Sequence, residues 1–427
     1  MPFMVPAAFT LAALLAAAPV PGATPFAGPV PVLSWTDCAR ETGSNSPVLK
    51  SARYRLEAAR LGRAHALGGF LPSVDGAASV GGGGEPPYFR RSAPGYWSRL
   101  GVTQNLFSGF AGISELERAG AALRHEEASY RATEAEVRHD LRSAFAGVLY
   151  AQENARMREA LAARRMANLE AVRKRVEKAG EDNSAMLSAE SEVTRAGFGV
   201  SRGRRGLQRA RQQLSRQMGR PRVLPFEVAQ EWDVPAPPAE PDMEAMAEGV
   251  PMVRQSLASL DESRAYLAET SARFWPSVDA GAGVQGTGPG WPPSESRSWS
   301  ADLSISLNLF SGARDWSNLS IARSRVGEAS AEVTVARRTA VEALEEALTP
   351  FENAYEAVGV ARQSLGAAQA RADLAREAYA KGETGFDQWS EVESQLAEAE
   401  TGYLDARREA LTAEAGWLKV TGTGLPK

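Results

Sequence analysis

The sequence is poor in the residues that most often carry chemistry. Its 427 residues include one cysteine, Cys38, and three scattered histidines, His65, His125 and His139. One cysteine excludes an intramolecular disulfide and a cysteine-based zinc site. So few histidines also argue against a metal-dependent or Ser-His-Asp enzyme. We therefore expect no enzymatic activity, no catalytic residue, no metal site and no cofactor.

An excess of charge of either sign is absent too. The chain has 48 Lys and Arg against 52 Asp and Glu, a formal net charge of −4, so its overall balance does not predict a nucleic-acid partner. The run Ser201–Arg211 is rich in arginine. Acidic residues elsewhere and a helical context favour a solvated helix face over an RNA site.

Long apolar runs are missing as well. No stretch clearly reaches the ~18 apolar residues that a membrane-spanning helix needs. The nearest is Phe9–Ala18, in a leader rich in Ala and Pro. It is typical of a secretory signal, although no Lys or Arg precedes Arg40 to form a positive n-region. We predict a signal peptide over residues 1–23, with a disordered apolar leader as the alternative.

What the sequence does contain is an internal duplication. Residues 70–75 read FLPSVD and residues 274–279 read FWPSVD, an offset of 204, while NLFSG at 105–109 recurs at 308–312, an offset of 203. Ordered matches with nearly constant offsets indicate two copies of one structural unit. The predicted organisation is a first repeat (34–218), a Pro-rich linker (219–241), a second repeat (242–420) and a C-terminal tail (421–427).

Each repeat contains a predicted β-hairpin. In residues 300–310 every second residue is apolar, and residues 277–285 show the same alternation. The first repeat has counterparts at 73–82 and, more weakly, at 98–107. Strands of about ten residues with one apolar face match tilted transmembrane strands. An ordinary soluble hairpin is the alternative.

Aromatic side chains gather near the ends of these strands. Amphipathic rings suit the two interfaces between a membrane and water, although cross-strand aromatic pairs in a soluble hairpin would look similar. The residues predicted to lie at the interfaces are Phe70, Tyr96, Trp97, Phe274, Trp275, Trp291 and Trp299.

Long helices fill the rest of each repeat. Residues 112–178 and 313–381 are rich in Ala, Glu, Arg and Leu, which are good helix formers. At ~1.5 Å per residue, each would be a rod of roughly 100 Å. Beyond a glycine-containing turn, residues 184–218 and 386–420 are predicted to fold back as shorter helices. A solvated coiled coil would show the same pattern.

Four strands cannot stand alone in a bilayer, because each unpaired edge amide or carbonyl costs several kcal/mol there. Single-chain bacterial barrels begin at about 8 strands, so at least two copies must close a barrel together. The sequence therefore predicts a homo-oligomer whose helical rods extend the barrel as a tube. Such a tube would be a conduit.

The repeated order of FLPSVD, a hairpin, NLFSG, a long helix and a return helix resembles the TolC-like outer-membrane efflux protein family, over roughly residues 34–420. The resemblance implies a mainly α protein with four β-strands per chain. It implies a homotrimer with one twelve-stranded barrel in contact with outer-membrane lipid and a helical tunnel in the periplasm. The implied function is an exit duct of a tripartite efflux pump or a type I secretion system.

The same resemblance implies partners and a docking region. The partners would be a periplasmic adaptor protein and an inner-membrane transporter. The narrow periplasmic end of the tunnel would lie at the turns between long and return helices. Adaptor docking is accordingly expected around Gly180, Gly382 and Glu383.

Candidates for the pore constriction also follow from the resemblance. The family usually has an acidic residue six positions after the second-turn glycine, and often another three positions later. Here these positions hold Gln388 and Glu391, and Asp387 could supply the charge that Gln388 lacks. Rings of carboxylates would favour cations. The alternative is a solvated cluster at a helix start.

One departure from the family pattern concerns lipidation. Cys38 follows Trp35, Thr36 and Asp37, which do not form a lipobox. We therefore expect Cys38 to be an unmodified residue of the first helix.

The sequence also leaves an alternative function open, which is a periplasmic coiled-coil adaptor or scaffold without a channel.

Overall fold

The computed structural model describes residues 31–82, 95–178, 182–222 and 225–426. The predicted signal peptide over residues 1–23 and the turn residue Gly180 lie outside the described residues. Two similar series of elements follow each other along the chain, as the repeated landmarks predict.

Each series consists of short helices, a β-hairpin, a long helix and a return helix. The first comprises β1 (Val32–Leu33), α1 (Trp35–Asn45), α2 (Pro47–Gly68), β2 (Ser73–Gly81), β3 (Gly95–Ser108), α3 (Ala111–Glu177) and α4 (Asn183–Gln217). The second comprises β4 (Glu227–Val228), α5 (Met243–Ala247), α6 (Pro251–Ala272), β5 (Ser277–Gly288), β6 (Ser296–Ser306), α7 (Arg314–Lys381) and α8 (Phe386–Val420). The predicted rods are confirmed, since α3 and α7 have 67 and 68 residues.

The four long strands form one antiparallel sheet in the order β2, β3, β5, β6. The two predicted hairpins are β2–β3 and β5–β6, and the β3–β5 pairing joins the repeats. Strands β2 and β6 are the edges of the sheet. Each therefore has a row of backbone groups that no other strand of the described chain pairs with.

The sheet has one apolar face that no described part of the chain covers. Val74 pairs with Val102, Val102 with Ala282, and Ala282 with Ala301, so apolar side chains line up across all four strands. Neighbouring positions along each strand, such as Asp75, lie on the other face. Large apolar side chains exposed on these strands are Val74, Val80, Leu100, Val102, Val284, Trp299, Leu303 and Ile305.

The helices pack side by side. Next to the sheet the order is α2, α3, α6, α7, and farther from it the order is α4, α3, α8, α7. Buried alanines at seven-residue spacing let the long helices approach closely: Ala121, Ala128 and Ala135 in α3, and Ala322, Ala329 and Ala336 in α7. No helix in the described ranges has a stretch long and apolar enough to cross a bilayer.

The Pro-rich segment 219–241 takes part in the core, which the sequence did not predict. Its strand β4 pairs in parallel with β1, and Phe226 and Val228 are buried against α3 and α1. The Gln152 side chain donates a hydrogen bond to the Val228 carbonyl (3.2 Å) and accepts one from its amide (2.9 Å). Arg220 donates two bonds of 2.6 Å to Glu41. These contacts hold the segment against α1 and α3 directly after the end of α4.

We predict that Cys38 does not react in the native protein at pH 8. The side chain is fully buried in α1, and burial raises the pKa of its thiol to about 12, so the reactive thiolate is absent. A maleimide reagent should label it only after unfolding. Ser44→Cys in a Cys38→Ser background, at an exposed position of the same helix, should react at once. Equal labelling rates for the two native proteins would contradict the buried position.

Candidate functional site

The ends of the two long helical hairpins meet at the pole opposite the sheet, and we call this region the tip. Val172 of α3 and Ala189 of α4 share one buried cluster with Tyr379, Phe386 and Trp389 of the second hairpin. The tip ends of α3, α4, α7 and α8 therefore lie at the same level within one protomer. This is where the family resemblance places the narrow end.

Gly382 forms the turn that ends α7. Its φ of +81° is left-handed, a conformation that glycine adopts without strain. The Gly382 amide donates to the Tyr379 carbonyl (3.1 Å) and the Glu383 amide to the Ala378 carbonyl (2.9 Å). This is a Schellman motif, which satisfies the last carbonyls of the helix. Gly382 and Glu383 are exposed at the surface of the tip.

Aromatic stacking joins the two helices of the second hairpin, α7 and α8, and an arginine of the first hairpin packs on it. Tyr379 stacks on Trp389 with ring centroids 4.2 Å apart, and Phe386 meets Trp389 edge-on at 6.3 Å. Arg175, in the last turn of α3, lies over the Tyr379 ring at 4.4 Å and donates to the Tyr379 carbonyl at 3.0 Å. The first hairpin thereby holds the second through a cation–π contact and a charge-assisted hydrogen bond.

A buried polar network lies one to two turns farther from the tip. Arg165 of α3 forms an ion pair of 2.8 Å with Glu192 of α4 and donates to Ser394 of α8 at 2.9 Å. Ser390 of α8 donates to the other oxygen of Glu192. The network joins three helices of both repeats, so it fixes one hairpin against the other.

Two further ion pairs fix the return helix α8. Arg164 of α3 donates two hydrogen bonds, of 2.8 and 2.7 Å, to the Glu400 carboxylate. This bidentate contact raises the pKa of Arg164 above its ordinary value. The fully buried Glu393 accepts a 2.8 Å bond from Arg376 of α7, and its Oε2 has no hydrogen-bond partner in the described part of the chain.

The constriction candidates lie on the opposite side of α8 from these contacts. Asp387, Gln388 and Glu391 are all exposed, within the first two turns of the helix. The Thr384 hydroxyl donates to Gln388 Oε1 at 2.7 Å, and Gln395 Nε2 donates to Glu391 Oε1 at 3.1 Å. The structure thus brings the three predicted residues together on one polar face.

The predicted interface aromatics lie at two levels of the sheet. Phe70, Phe274 and Trp275 lie where α2 and α6 lead into strands. At the far end Tyr96 contacts Trp291 at 6.5 Å between ring centroids, and Trp97 and Trp299 lie nearby in β3 and β6. Aromatics that the sequence analysis missed at the first level are Phe110, Phe310 and Trp316.

Other tip residues were also missed. Tyr379 and Trp389 gave no signal beyond ordinary helix composition, and the network around Arg165 joins residues more than two hundred positions apart. The NLFSG sequence directly precedes a turn in each repeat, at Phe110 in the first and at Ala313 in the second. This landmark could have indicated the missed aromatic residues beside it. No group of His, Cys, Asp and Glu within the described ranges could hold a metal ion.

Comparisons with known proteins identify one matching family and several structures of similar fold. A profile of the family described as outer membrane efflux protein matches residues 39–220 and again 244–423. No curated protein sequence matches the chain.

Several solved structures share the fold. The structure of CusC, described in connection with transmembrane channel formation, has a TM-score of 0.79 at 16% identity and 91% coverage of both chains. The open state of the MtrE outer membrane channel of Neisseria gonorrhoeae has a TM-score of 0.79 at 20% identity, covering 92% of this chain and 89% of that one. The outer membrane protein VceC of Vibrio cholerae has a TM-score of 0.75 at 16% identity, covering 91% and 96%.

We predict that Arg376→Met destabilises the protein by about 2 kcal/mol, because it leaves the buried Glu393 carboxylate without its cation. The value is below that of a fully buried pair since water reaches the Arg376 side chain, which is 46% exposed. Thermal unfolding followed by circular dichroism measures the effect. Adding Glu393→Gln should recover part of the loss. If the double variant melts at the temperature of the single variant or below it, the unpaired charge is not the cause.

Proposed function

Since its two matched segments span most of the sequence, the chain belongs to the outer membrane efflux protein family, and we propose that three copies assemble into its working form. Members of this family are channels rather than enzymes. The chain is accordingly an efflux channel of the outer membrane, with its long helices in the periplasm. A periplasmic adaptor or scaffold does not fit this family.

The observation that carries the trimer proposal is the open sheet with an uncovered apolar face. Its edges, β2 and β6, would leave backbone groups unpaired in lipid, at a cost of several kcal/mol each. Pairing β6 of one copy with β2 of the next removes both edges. Three copies give twelve strands, which is within the range of closed bacterial barrels. The apolar faces then meet lipid.

The two aromatic levels support the same placement. Phe274 and Trp275 lie at the periplasmic ends of the strands, and Trp291 and Trp299 lie toward the other ends. We propose that these rings lie at the two interfaces of the outer membrane, where an apolar ring body and a polar edge are both accommodated. The helices then continue from the barrel into the periplasm as a tunnel.

The tip would form the periplasmic mouth of this tunnel. In the protomer α8 lies between α3 and α7, so its exposed polar face is the side that we place toward the tunnel axis. Asp387 and Glu391 from three copies would then form rings of carboxylates close to the mouth. Such rings attract cations and repel anions. Gln388 would contribute a neutral hydrogen-bonding ring between them.

We propose that the turns of the tip dock a periplasmic adaptor, which links the channel to an inner-membrane transporter. The exposed Gly382 and Glu383 support this role, because they project beyond the aromatic cluster that holds the two hairpins together. Gly180, the third predicted docking residue, lies outside the described residues. The assembly would serve as the exit duct of a tripartite efflux pump or of a type I secretion system.

Trimerisation predicts a definite native mass. The protein extracted from membranes in mild detergent should have the protein mass of three chains by native mass spectrometry or light scattering. It should also form channels in planar bilayers. A stable monomer or dimer without conductance would contradict the proposal.

The proposed mouth predicts a charge-dependent conductance. Replacing both Asp387 and Glu391 with Ala should lower the preference for cations and raise the single-channel conductance, because charge and hydrogen bonds at the constriction are lost. Glu409→Ala is the matched control, since Glu409 lies 18 residues, or five turns, beyond Glu391 on the same exposed face of α8. Unchanged selectivity in the double variant, or an equal change in the control, would remove these residues from the constriction.

A further inference from the structure

The end helices of the protomer, α4 and α7, each have a long stripe of mostly exposed positions in which every charged residue has the same sign. On α7 the exposed Arg338 and Arg371 lie beside this stripe. Farther from the sheet the packing order is α4, α3, α8, α7, so α4 and α7 are at opposite ends of the row. Each packs on its neighbour through one face and leaves the opposite face uncovered. In a ring of copies, these two faces are the ones that meet.

On α7 the uncovered face follows a seven-residue repeat. Buried Val333, Ala340, Leu344 and Phe351 define the face that packs within the protomer. The opposite face consists of positions spaced alternately four and three apart, as in the seam of a coiled coil. We call these positions the acidic seam: Glu328, Glu332, Val335, Thr339, Glu342, Glu346, Thr349, Asn353, Glu356, Val360, Gln363, Ala367, Ala370 and Leu374.

The acidic seam contains five glutamates and no basic residue, and every one of its positions is exposed. Its apolar members are strongly exposed, with Val335 at 62%, Val360 at 66% and Leu374 at 68%. In the described part of the chain, no ion pair or side-chain hydrogen bond involves any of the five glutamate side chains.

On α4 the uncovered face has the opposite charge. Leu214 and Met218 are buried against the core, and Leu207 packs partly against it. The face turned away from them follows the same alternating spacing and is our basic seam: Ser191, Arg195, Phe198, Arg202, Arg205, Arg209, Gln212 and Arg216. It has five arginines and no acidic residue, and the exposed Phe198 (64%) is its apolar member.

The arginines of the basic seam lack carboxylate partners within the protomer as described. Neighbouring Arg204, which is not in the seam, pairs with Glu159 at 2.8 Å, and Arg211 lies 4.0 Å from Glu227. The seam arginines make no such contact in the described ranges. Within the Arg-rich run Ser201–Arg211, for which a solvated face was predicted, Arg202, Arg205 and Arg209 thus form an unpaired basic surface among the described residues.

The two seams also match in height. Arg209 lies 26 residues beyond Asn183, the start of α4, and Glu356 lies 25 residues before Lys381, the end of α7. At ~1.5 Å per residue both are roughly 38 Å from the tip. Arg216 and Glu346 lie 33 and 35 residues from the same helix ends. Because the ends of the two hairpins are level and rotation about a common axis preserves height, the members of each pair would lie at the same height in neighbouring copies.

We infer that the acidic seam of α7 packs on the basic seam of α4 in the neighbouring copy, with Glu356 facing Arg209 and Glu346 facing Arg216. This inference rests on the proposed homotrimer and assigns its helical interface. Like charges keep α7 from pairing with α7 and α4 from pairing with α4. Only the head-to-tail contact brings opposite charges together, and repeated head-to-tail contacts close into a ring.

Charge exchange tests the assignment. One variant carries Glu346→Arg and Glu356→Arg, a second carries Arg209→Glu and Arg216→Glu, and a third carries all four substitutions. Either exchange alone places like charges across every interface, so the fraction of protein that runs as a trimer should fall about tenfold or more. The fourfold variant restores opposite charges and should regain most of the trimer.

One measurement and one control variant test the seam assignment separately from the proposed homotrimer. Circular dichroism should show unchanged helix content in the single exchanges, because the residues have no partner inside the protomer. Glu398→Arg with Glu409→Arg, an equal charge change on the exposed face of α8, should leave the trimer intact.

The outcomes are distinguishable. If the unmodified chain is not a trimer, the proposed function itself fails. If the unmodified chain is a trimer and the single exchanges are trimers too, or if the fourfold variant is no better than either, the seam assignment is wrong while the homotrimer stands.

Discussion

The rest of the structure depends on the four-stranded sheet being unable to satisfy its own edges in lipid. Edge strands in water can hydrogen-bond to solvent, whereas those in a bilayer cannot. The described part of the chain contributes four strands to this sheet, in the order β2, β3, β5, β6. In the proposed assembly other copies close the sheet, and every helix that is continuous with a strand would follow the same symmetry. Because the duplication gives each copy two hairpins, fewer copies are needed to close a barrel than if each copy had one hairpin.

The helical part solves a different problem, because its surfaces remain in water. Most of the stability of a rod of 67 or 68 residues comes from packing against its neighbours. Alanines such as Ala128 and Ala329 allow close packing along the middle of the rods. Near the tip the contacts change character. The ion pairs Arg165–Glu192 and Arg376–Glu393 each join the two helices of one hairpin, and Arg164–Glu400 joins the first hairpin to the second. Buried ion pairs add little net stability compared with apolar packing, but they fix the register of the helices.

An element of the structure could be predicted when its defining pattern lies in consecutive residues of the sequence. The strands and long helices were predicted because their periods of two and about 3.6 residues are written in consecutive residues. The exposed position of Glu391 follows from the same helical period, since it lies opposite Phe386 and Trp389. By contrast, β1 and β4 have two residues each and no measurable period, so their pairing could not be predicted.

The tip network could not be predicted either. Glu393 looks like any helix glutamate, but it accepts a hydrogen bond from Arg376 of α7 and lies on α8, which packs against α3 of the other repeat. The roles of Gly382 and Glu383 in docking depend on a partner, so neither the sequence nor the protomer defines them. The acidic and basic seams could be predicted only in part. Their seven-residue spacing is visible in the sequence, but which face of each helix is uncovered becomes clear only from the packing order of the helices. An exposed seam of Glu346 and Glu356 keeps α7 soluble before assembly, whereas an apolar seam would aggregate. Complementary charge can therefore give an end helix both solubility as a monomer and a specific partner in the ring, which an apolar surface of the same length could not do.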